Sequence, residues 1–230
     1  VGIDSSRAML DILDTSLAQR DAALRARVTT VLADAREFNL QRRFGLILFP
    51  FLSLGLLTGE ADRSRVAQQV AAHLTADGVF AFDYLTVADA QAPWLGGHVT
   101  QRLLIHDGVD YAARLGVRFY PDQRLMVSNA SWMRADAAAG ACRHLESKSL
   151  QVFEHSDIDA LLDQAGLVLI ERAVTPLDEG VTARALVTCR RRQAQAEPLW
   201  HPYMNKSEGT DGAGLTLVEG SGCSVVDSHG

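Results

Sequence analysis

Apolar residues repeat along the first part of the chain with a period that switches between that of a buried strand and that of a helix. Val1-Gly2-Ile3-Asp4 reads as the end of a strand, and Ser5 or Ser6 can cap a following helix by accepting from its free N–H groups. Met9, Leu13 and Leu17 then return every fourth residue, and Leu10, Leu17 and Leu24 every seventh, which predicts one apolar helical face. Thr29 to Ala33 is rich in β-formers and ends at Asp34. Phe44 to Phe49 is an unbroken apolar run, the pattern of a parallel strand with helices on both faces. Asp62 is placed to open the next helix, with Val66, Val70 and Leu74 as its buried stripe. Asp77-Gly78 then turns the chain into a strand from Val79 to Phe82, ending at Asp83-Tyr84.

Strand and helix alternate over residues 1–84, which predicts an α/β fold with a doubly wound, Rossmann-like and mostly parallel sheet. Ligands of such sheets sit at the carboxyl ends of the strands, where Asp4, Asp34 and Asp83 all fall. From Thr86 to Val152 the pattern changes. Val99 to His106, an Asp107-Gly108 turn, Val109 to Tyr120, Pro121-Asp122 and Leu125 to Met133 predict an antiparallel β insertion over about 86–152. Ser156 is placed to cap a late helix that stops at Gly166. Leu167 to Val174 and Thr182 to Cys189 are joined too closely for a crossover helix and predict a C-terminal antiparallel hairpin. Periodicity ends at Arg192. Residues 193–230, rich in Gly, Ser, Asp and Glu from Ser207 onward, are expected to be a disordered tail.

Composition narrows the functional classes. The 230 residues suffice for one domain with an insertion and a tail. The longest apolar stretch, Phe44 to Leu57, is broken by Gly45, Pro50, Ser53 and Gly55, so no membrane-spanning helix is expected. Net charge is −6, and the one basic run, Arg190-Arg191-Arg192, stands at a strand end, so nucleic acid is not an expected partner. Cys142, Cys189 and Cys223 are odd in number, far apart and without metal-ligand spacing. They predict neither a disulfide framework nor a metal site, and fit a reducing cytoplasm.

Several motifs together resemble the class I S-adenosylmethionine-dependent methyltransferases, in their small-molecule branch. Gly2-Ile3-Asp4-Ser5-Ser6 with Met9-Leu10 is similar to the second-strand motif, whose acidic residue accepts from the ribose hydroxyls. The resemblance gives Asp4 that role, with Ser5 beside it. Leu32-Ala33-Asp34-Ala35-Arg36 with Phe38 resembles the third-strand motif and implies that Asp34 and the Ala35 N–H read the adenine. Phe44 to Phe51, running into Leu54 and Leu57, is similar to the fourth strand and its loop, with Phe49 and Phe51 against the cofactor. The likeness extends over residues 1–192 and implies S-adenosylmethionine as cofactor and a small-molecule methyl acceptor. The chain opens in mid-strand, so the first strand and its acidic Gly-x-Gly loop, which close backbone approach reserves for glycine, are absent ahead of Val1. Leu217-Val218-Glu219-Gly220-Ser221-Gly222 reads as a strand entering a glycine loop, which a permuted first strand would also give.

Methyl transfer needs little beyond alignment of acceptor, methyl carbon and departing sulfur. Asp83 and Tyr84, at a strand end, are the candidate catalytic residues, while His98, His106, Tyr111 and Tyr120 of the insertion are further candidate bases. Trp94, Phe119 and Trp132 are candidates to line an amine pocket or to pack a core. His155 is assigned no role. Two other readings stay open: a non-enzymatic binding or regulatory module on the methyltransferase fold, and a nicotinamide-dependent oxidoreductase. The second shares an acidic ribose ligand but wants a Tyr-x-x-x-Lys or metal set absent around Lys148 and Lys206.

Overall fold

The computed structural model describes residues 1–88, 93–106, 108–134, 143–177, 181–192, 217–221 and 224–227, and divides the chain into two compact units, Val1–Arg192 and Gln193–Gly230. In chain order the first unit runs β1 (Gly2–Asp4), α1 (Arg7–Ala18), α2 (Ala22–Arg25), β2 (Thr30–Leu32), β3 (Phe44–Phe49), α3 (Ser53–Leu56), α4 (Glu60–His73) and β4 (Leu74–Val87). It continues with β5 (His98–His106), β6 (Val109–Tyr120), β7 (Leu125–Arg134), β8 (Arg143–Gln151), α5 (His155–Gln164), β9 (Leu167–Leu177) and β10 (Thr182–Arg191).

The described strands of this unit form three sheets. β1 and β2 pair in parallel; β3, β4, β10 and β9 form a mixed sheet in that order; and β5 to β8 form an antiparallel meander. The α/β architecture, the terminal hairpin of β9 with β10 and the antiparallel insertion are those the sequence predicts. Side chains from α4 (Val66, Val70), β4 (Phe80, Phe82, Tyr84), α5 (Ile158, Leu162) and β10 (Val187) meet in the main core, with Leu74 wholly buried at the α4–β4 junction.

Only one face of the mixed sheet is so covered. Ile47 and Phe49 of β3 pack on the core, whereas Leu46 and Leu48, alternating onto the other face, are 56% and 60% exposed, and Leu186 of β10 shares that open face. The expectation of helices on both faces of β3 is corrected accordingly: an unbroken apolar run shows that both faces favour burial, not that both are buried here. The apolar face predicted for α1 is likewise open. Leu10 is buried, but Met9, Ile12 and Leu13 are exposed.

Smaller differences have local causes. β4 starts at Leu74 instead of Val79 because its register with β3 jumps from Phe44↔Leu74 to Leu46↔Val79. At that jump Gly78 passes so close to β3 that a Cβ would lie 2.8 Å from the Phe44 carbonyl oxygen. The insertion has a fourth strand, β8, whose polar sequence carries no strand signal. It docks on α3 at Gly55, where a Cβ would lie 2.7 Å from Leu150 Cδ1, and Leu85, Leu95, Phe119 and Val152 close a second core there. α5 is capped by Glu154 and not by Ser156: Asp157 accepts from the Glu154 N–H at 2.8 Å, completing a capping box. In the second unit β11 (Leu217–Ser221) and β12 (Ser224–Asp227) pair antiparallel, where the sequence reading expects a disordered tail or a permuted parallel strand. The rest of residues 193–230 falls outside the described residues.

Candidate functional site

Asp4 closes β1 and turns its carboxylate back on its own loop. Oδ1 accepts from the Ser6 N–H at 2.7 Å, and the Asp4 carbonyl accepts from Ala33 N–H at 3.0 Å, tying the carboxyl end of β1 to the segment after β2. Ser6, not Ser5, is the N-cap of α1. Ser5 is exposed, and among the described residues Asp4 Oδ2 has no hydrogen-bond partner. One carboxylate oxygen and one hydroxyl are thus open to a ligand.

Asp34, two residues beyond β2, is fully engaged. It accepts from Arg36 N–H at 2.9 Å and from the Arg36 guanidinium, with Nη2–Oδ2 at 2.5 Å, and these contacts hold its pKa down at about 2. Arg36 reaches on to Asp62 in the first turn of α4 at 3.2 Å. The Phe38 ring meets His73 of the same helix at a tilt of 37°, with centroids 4.4 Å apart, and the Leu40 N–H donates to His73 Nε2. These contacts fix the carboxyl end of β2 beside α4, the helix that follows β3. Ala35 lies against the main core.

After β3 the chain turns sharply. Phe51 and Leu52 both take left-handed backbone angles (φ 61° and 57°), and Phe51 is 83% exposed. Leu52 packs toward the second core, while Phe49 faces the first. The turn is held from β4, which outruns β3 beyond Phe49↔Phe82. There Asp83, 1% exposed, accepts from the Leu52 N–H at 3.1 Å through Oδ1 and from Arg184 of β10 at 2.5 Å through Oδ2. Both Asp83 oxygens are occupied, so its contribution is to pin the Phe51–Leu52 turn.

Tyr84 alternates onto the opposite face, inside the core, and its hydroxyl lies 2.6 Å from His155 Nδ1 at the start of α5. Burial pushes the phenol pKa above its usual 10.0, and the nearby Arg172 cation pulls it partly back. His155 itself is exposed. Sequence reading gives it no role, because the contact spans strand and helix and has no local signature. Arg36 was visible within the Asp34 motif, but a side chain folding back on Asp34 leaves no spacing to read.

The insertion separates its candidates. Residues opposite one another across an antiparallel pair share a face, so His98, Tyr111, Phe119 and Trp132 lie on one face and Tyr120 on the other. Phe119 is core. Trp132 meets His144 with ring centroids 5.5 Å apart. His98 pairs with Val117 and Tyr111 with Leu104, which sets those two roughly 20 Å apart along the sheet. The side chains of Trp94 and His106 fall outside the described residues.

No family model matches the chain, and no curated protein matches it in sequence. Solved structures do resemble it in shape. The CcbJ methyltransferase from Streptomyces caelestis aligns over 84% of this chain and 74% of its own, with TM-score 0.67 and 19% identity. The first unit has the fold of the S-adenosylmethionine-dependent methyltransferases. The sugar N-methyltransferase KedS8 from a Streptoalloteichus species (TM-score 0.64, 22% identity, 84% of this chain and 70% of that one) is similar. So is CalS10, an amino pentose methyltransferase from Micromonospora echinaspora solved with S-adenosylmethionine bound (TM-score 0.60, 21% identity, 83% and 72%).

Among the described residues the donor set suits the nucleoside half of that cofactor. Asp4 Oδ2 and Ser5 can meet ribose hydroxyls, Asp34 and the Ala35 N–H can meet the base edge once Arg36 yields, and exposed Phe51 offers an aromatic flank. Among the described residues of the first unit, none forms a glycine loop for the methionine half.

Proposed function

We propose that this chain takes part in S-adenosylmethionine-dependent methylation of a small molecule. The observation that carries the reading is the half-satisfied Asp4 carboxylate at the end of β1, beside an Asp34–Ala35 segment tied to α4. The cofactor supplies a methyl group on a positively charged sulfur. Asp4 and Ser5 orient the ribose, and Asp34 and Ala35 select the base. Phe49 anchors the β3 end in the core, and Phe51 covers the bound nucleoside. Asp83 acts as a positioning residue for the Phe51–Leu52 turn, and Tyr84 with His155 is the candidate proton-carrying pair. The acceptor, an amine- or hydroxyl-bearing small molecule, lies under the insertion, on the face that carries Tyr111 and Trp132.

The free edges of β1 and β3 set a condition on this activity. Among the described residues each presents a row of backbone N–H and C=O groups without a strand partner, and each such group costs on the order of 1–3 kcal/mol if buried. A parallel strand seated between them and ending in an acidic Gly-x-Gly loop satisfies both edges and receives the methionine half. Calorimetric titration with S-adenosylmethionine, on the chain alone and on a version preceded by such a strand, tests the reading. Tight binding and methyl transfer are expected only for the second. Absence of binding in both leaves the fold as a binding or regulatory module.

A further inference from the structure

Near its start, helix α4 sends side chains in two directions. Asp62 reaches Arg36 and the Asp34 segment, whereas Glu60, Arg63 and Ser64, at i, i+3 and i+4 on one side of the helix, line a cavity of about 170 Å³ against α5. Buried Phe153 and Ile158 give this cavity an apolar wall. Its charged groups are paired unequally. Arg124 and Asp157 meet at 2.6 Å and neutralise each other. Glu60 and Arg63, one turn apart, form no ion pair with each other or with any other described residue. Arg63 is oriented instead by uncharged partners: its Nη1 donates to the Leu57 and Thr58 carbonyls at 2.7 and 2.9 Å, and its guanidinium carbon lies 5.3 Å from the centre of the Phe153 ring. Nε and Nη2, which form the remaining bidentate edge, have no partner among the described residues, and neither is sealed from solvent. Burial pulls the Arg63 pKa below its ordinary value, and the Glu60 charge offsets only part of that.

From this arrangement we infer that the cavity between α4 and α5 binds a small free amino acid, its carboxylate on the Arg63 edge, its ammonium on Glu60 and its side chain toward Phe153 and Ile158. A guanidinium edge accepts a carboxylate in two parallel hydrogen bonds, and one already held by two carbonyls and a ring loses little freedom when it does so. A ligand carrying both charges gives each unpaired group its opposite. A simple anion would meet the Glu60 carboxylate, and a simple cation the Arg63 guanidinium, at the same short range. The size agrees: at about 30 Å³ per water-sized group, the cavity holds a molecule of roughly six non-hydrogen atoms, the size of alanine. This site lies on another side of α4 from Asp62 and the nucleoside-binding candidates, and its occupation does not depend on a methyl donor.

Titration of the full 230-residue chain with L-alanine, propionate and L-alaninamide at neutral pH, followed by amide chemical shifts, tests the inference. L-alanine should bind with a dissociation constant of about a millimolar, ordinary for a molecule of its size, and shift the amides of Ser64 and Phe153. Propionate lacks the ammonium and L-alaninamide the carboxylate, so each should bind at least about tenfold more weakly. Arg63→Lys keeps the charge but loses the planar edge, and Glu60→Gln removes the ammonium's partner. Each should weaken L-alanine about tenfold, and Glu60→Gln should also erase the preference for L-alanine over propionate. Glu60 is exposed at the helix start, so that variant decides the test even where Arg63→Lys disturbs the Leu57–Thr58 segment. An L-alanine titration without a saturable shift overturns the inference. So does propionate or L-alaninamide binding as tightly as L-alanine, or an affinity for L-alanine unchanged in Glu60→Gln.

Discussion

The Tyr84 hydroxyl and His155 Nδ1, 71 positions apart in sequence, lie 2.6 Å apart, and this contact joins β4 to the first turn of α5. Because burial raises the phenol pKa above 10.0, the folded protein resists ionising Tyr84 where the unfolded chain does not. The associated stability is complete below pH 10 and is lost as pH rises past it. Melting temperature should therefore fall above pH 10, and Tyr84→Phe should flatten that alkaline fall. At neutral pH the same variant should lose about 0.5–1.5 kcal/mol in denaturant titrations, the net worth of one hydrogen bond.

Asp4→Ala and Asp34→Ala, in a protein that binds S-adenosylmethionine, should each weaken the complex roughly tenfold to a hundredfold. That is the loss of one charge-assisted hydrogen bond of about 1.5–3 kcal/mol. Calorimetry reads the affinity and thermal melts verify the fold. Unchanged affinity in both variants refutes the assignment.

The Arg36 guanidinium holds the Asp34 carboxyl at about 2, so the pair persists from neutral pH down through the ordinary carboxylate range near 3.8 and dissolves as pH falls toward 2. A carbon-13 titration of the Asp34 carboxyl should show this low midpoint, and Arg36→Gln should return it toward 3.8.

Asp83→Asn keeps an oxygen for the Leu52 N–H but removes the charge facing Arg184. Arg184 is 47% exposed and can turn to water, so the cost should fall below the ~3–5 kcal/mol of breaking a fully buried pair, at about 1–2 kcal/mol. Asp83→Ala, which also strands the Leu52 N–H, should cost more. Chemical denaturation of the two variants compares them.

Cys189 is wholly buried, its thiol pKa pushed up to about 12 by desolvation. Alkylation at pH 8, mapped by mass spectrometry, should leave Cys189 unmodified in the native protein and modify it in denaturant.

Much of this architecture was legible because it rests on short-range pattern. The stripe Val66, Val70 and Leu74 marked α4, and the turn residues between Val99 and Leu125 marked the first three insertion strands. What escaped depends on partners far along the chain. The exposure of Leu46, Leu48 and Met9 is set by what does or does not lie over them, which periodicity cannot report. β8 escaped because its run is polar apart from Leu145 and Leu150, which fall on opposite faces, so that only its ladder to β7 makes it a strand. Asp4 and Asp34 were singled out through motif resemblance; the Arg36 clasp on Asp34 and the Asp83 grip on Leu52 are tertiary contacts without a motif.

The left-handed backbone at Phe51 leads to an inverted expectation for protein engineering. A non-glycine residue in that conformation costs about 1–2 kcal/mol, and Phe51, 83% exposed, recovers little of it by packing. Phe51→Gly should accordingly make the protein harder to melt, by about 1 kcal/mol at most once the looser unfolded chain is counted. A screen for thermal robustness would select against this ring, so, with the role proposed above for Phe51, a more robust variant with glycine at 51 would bring together durability and a blunted ligand grip.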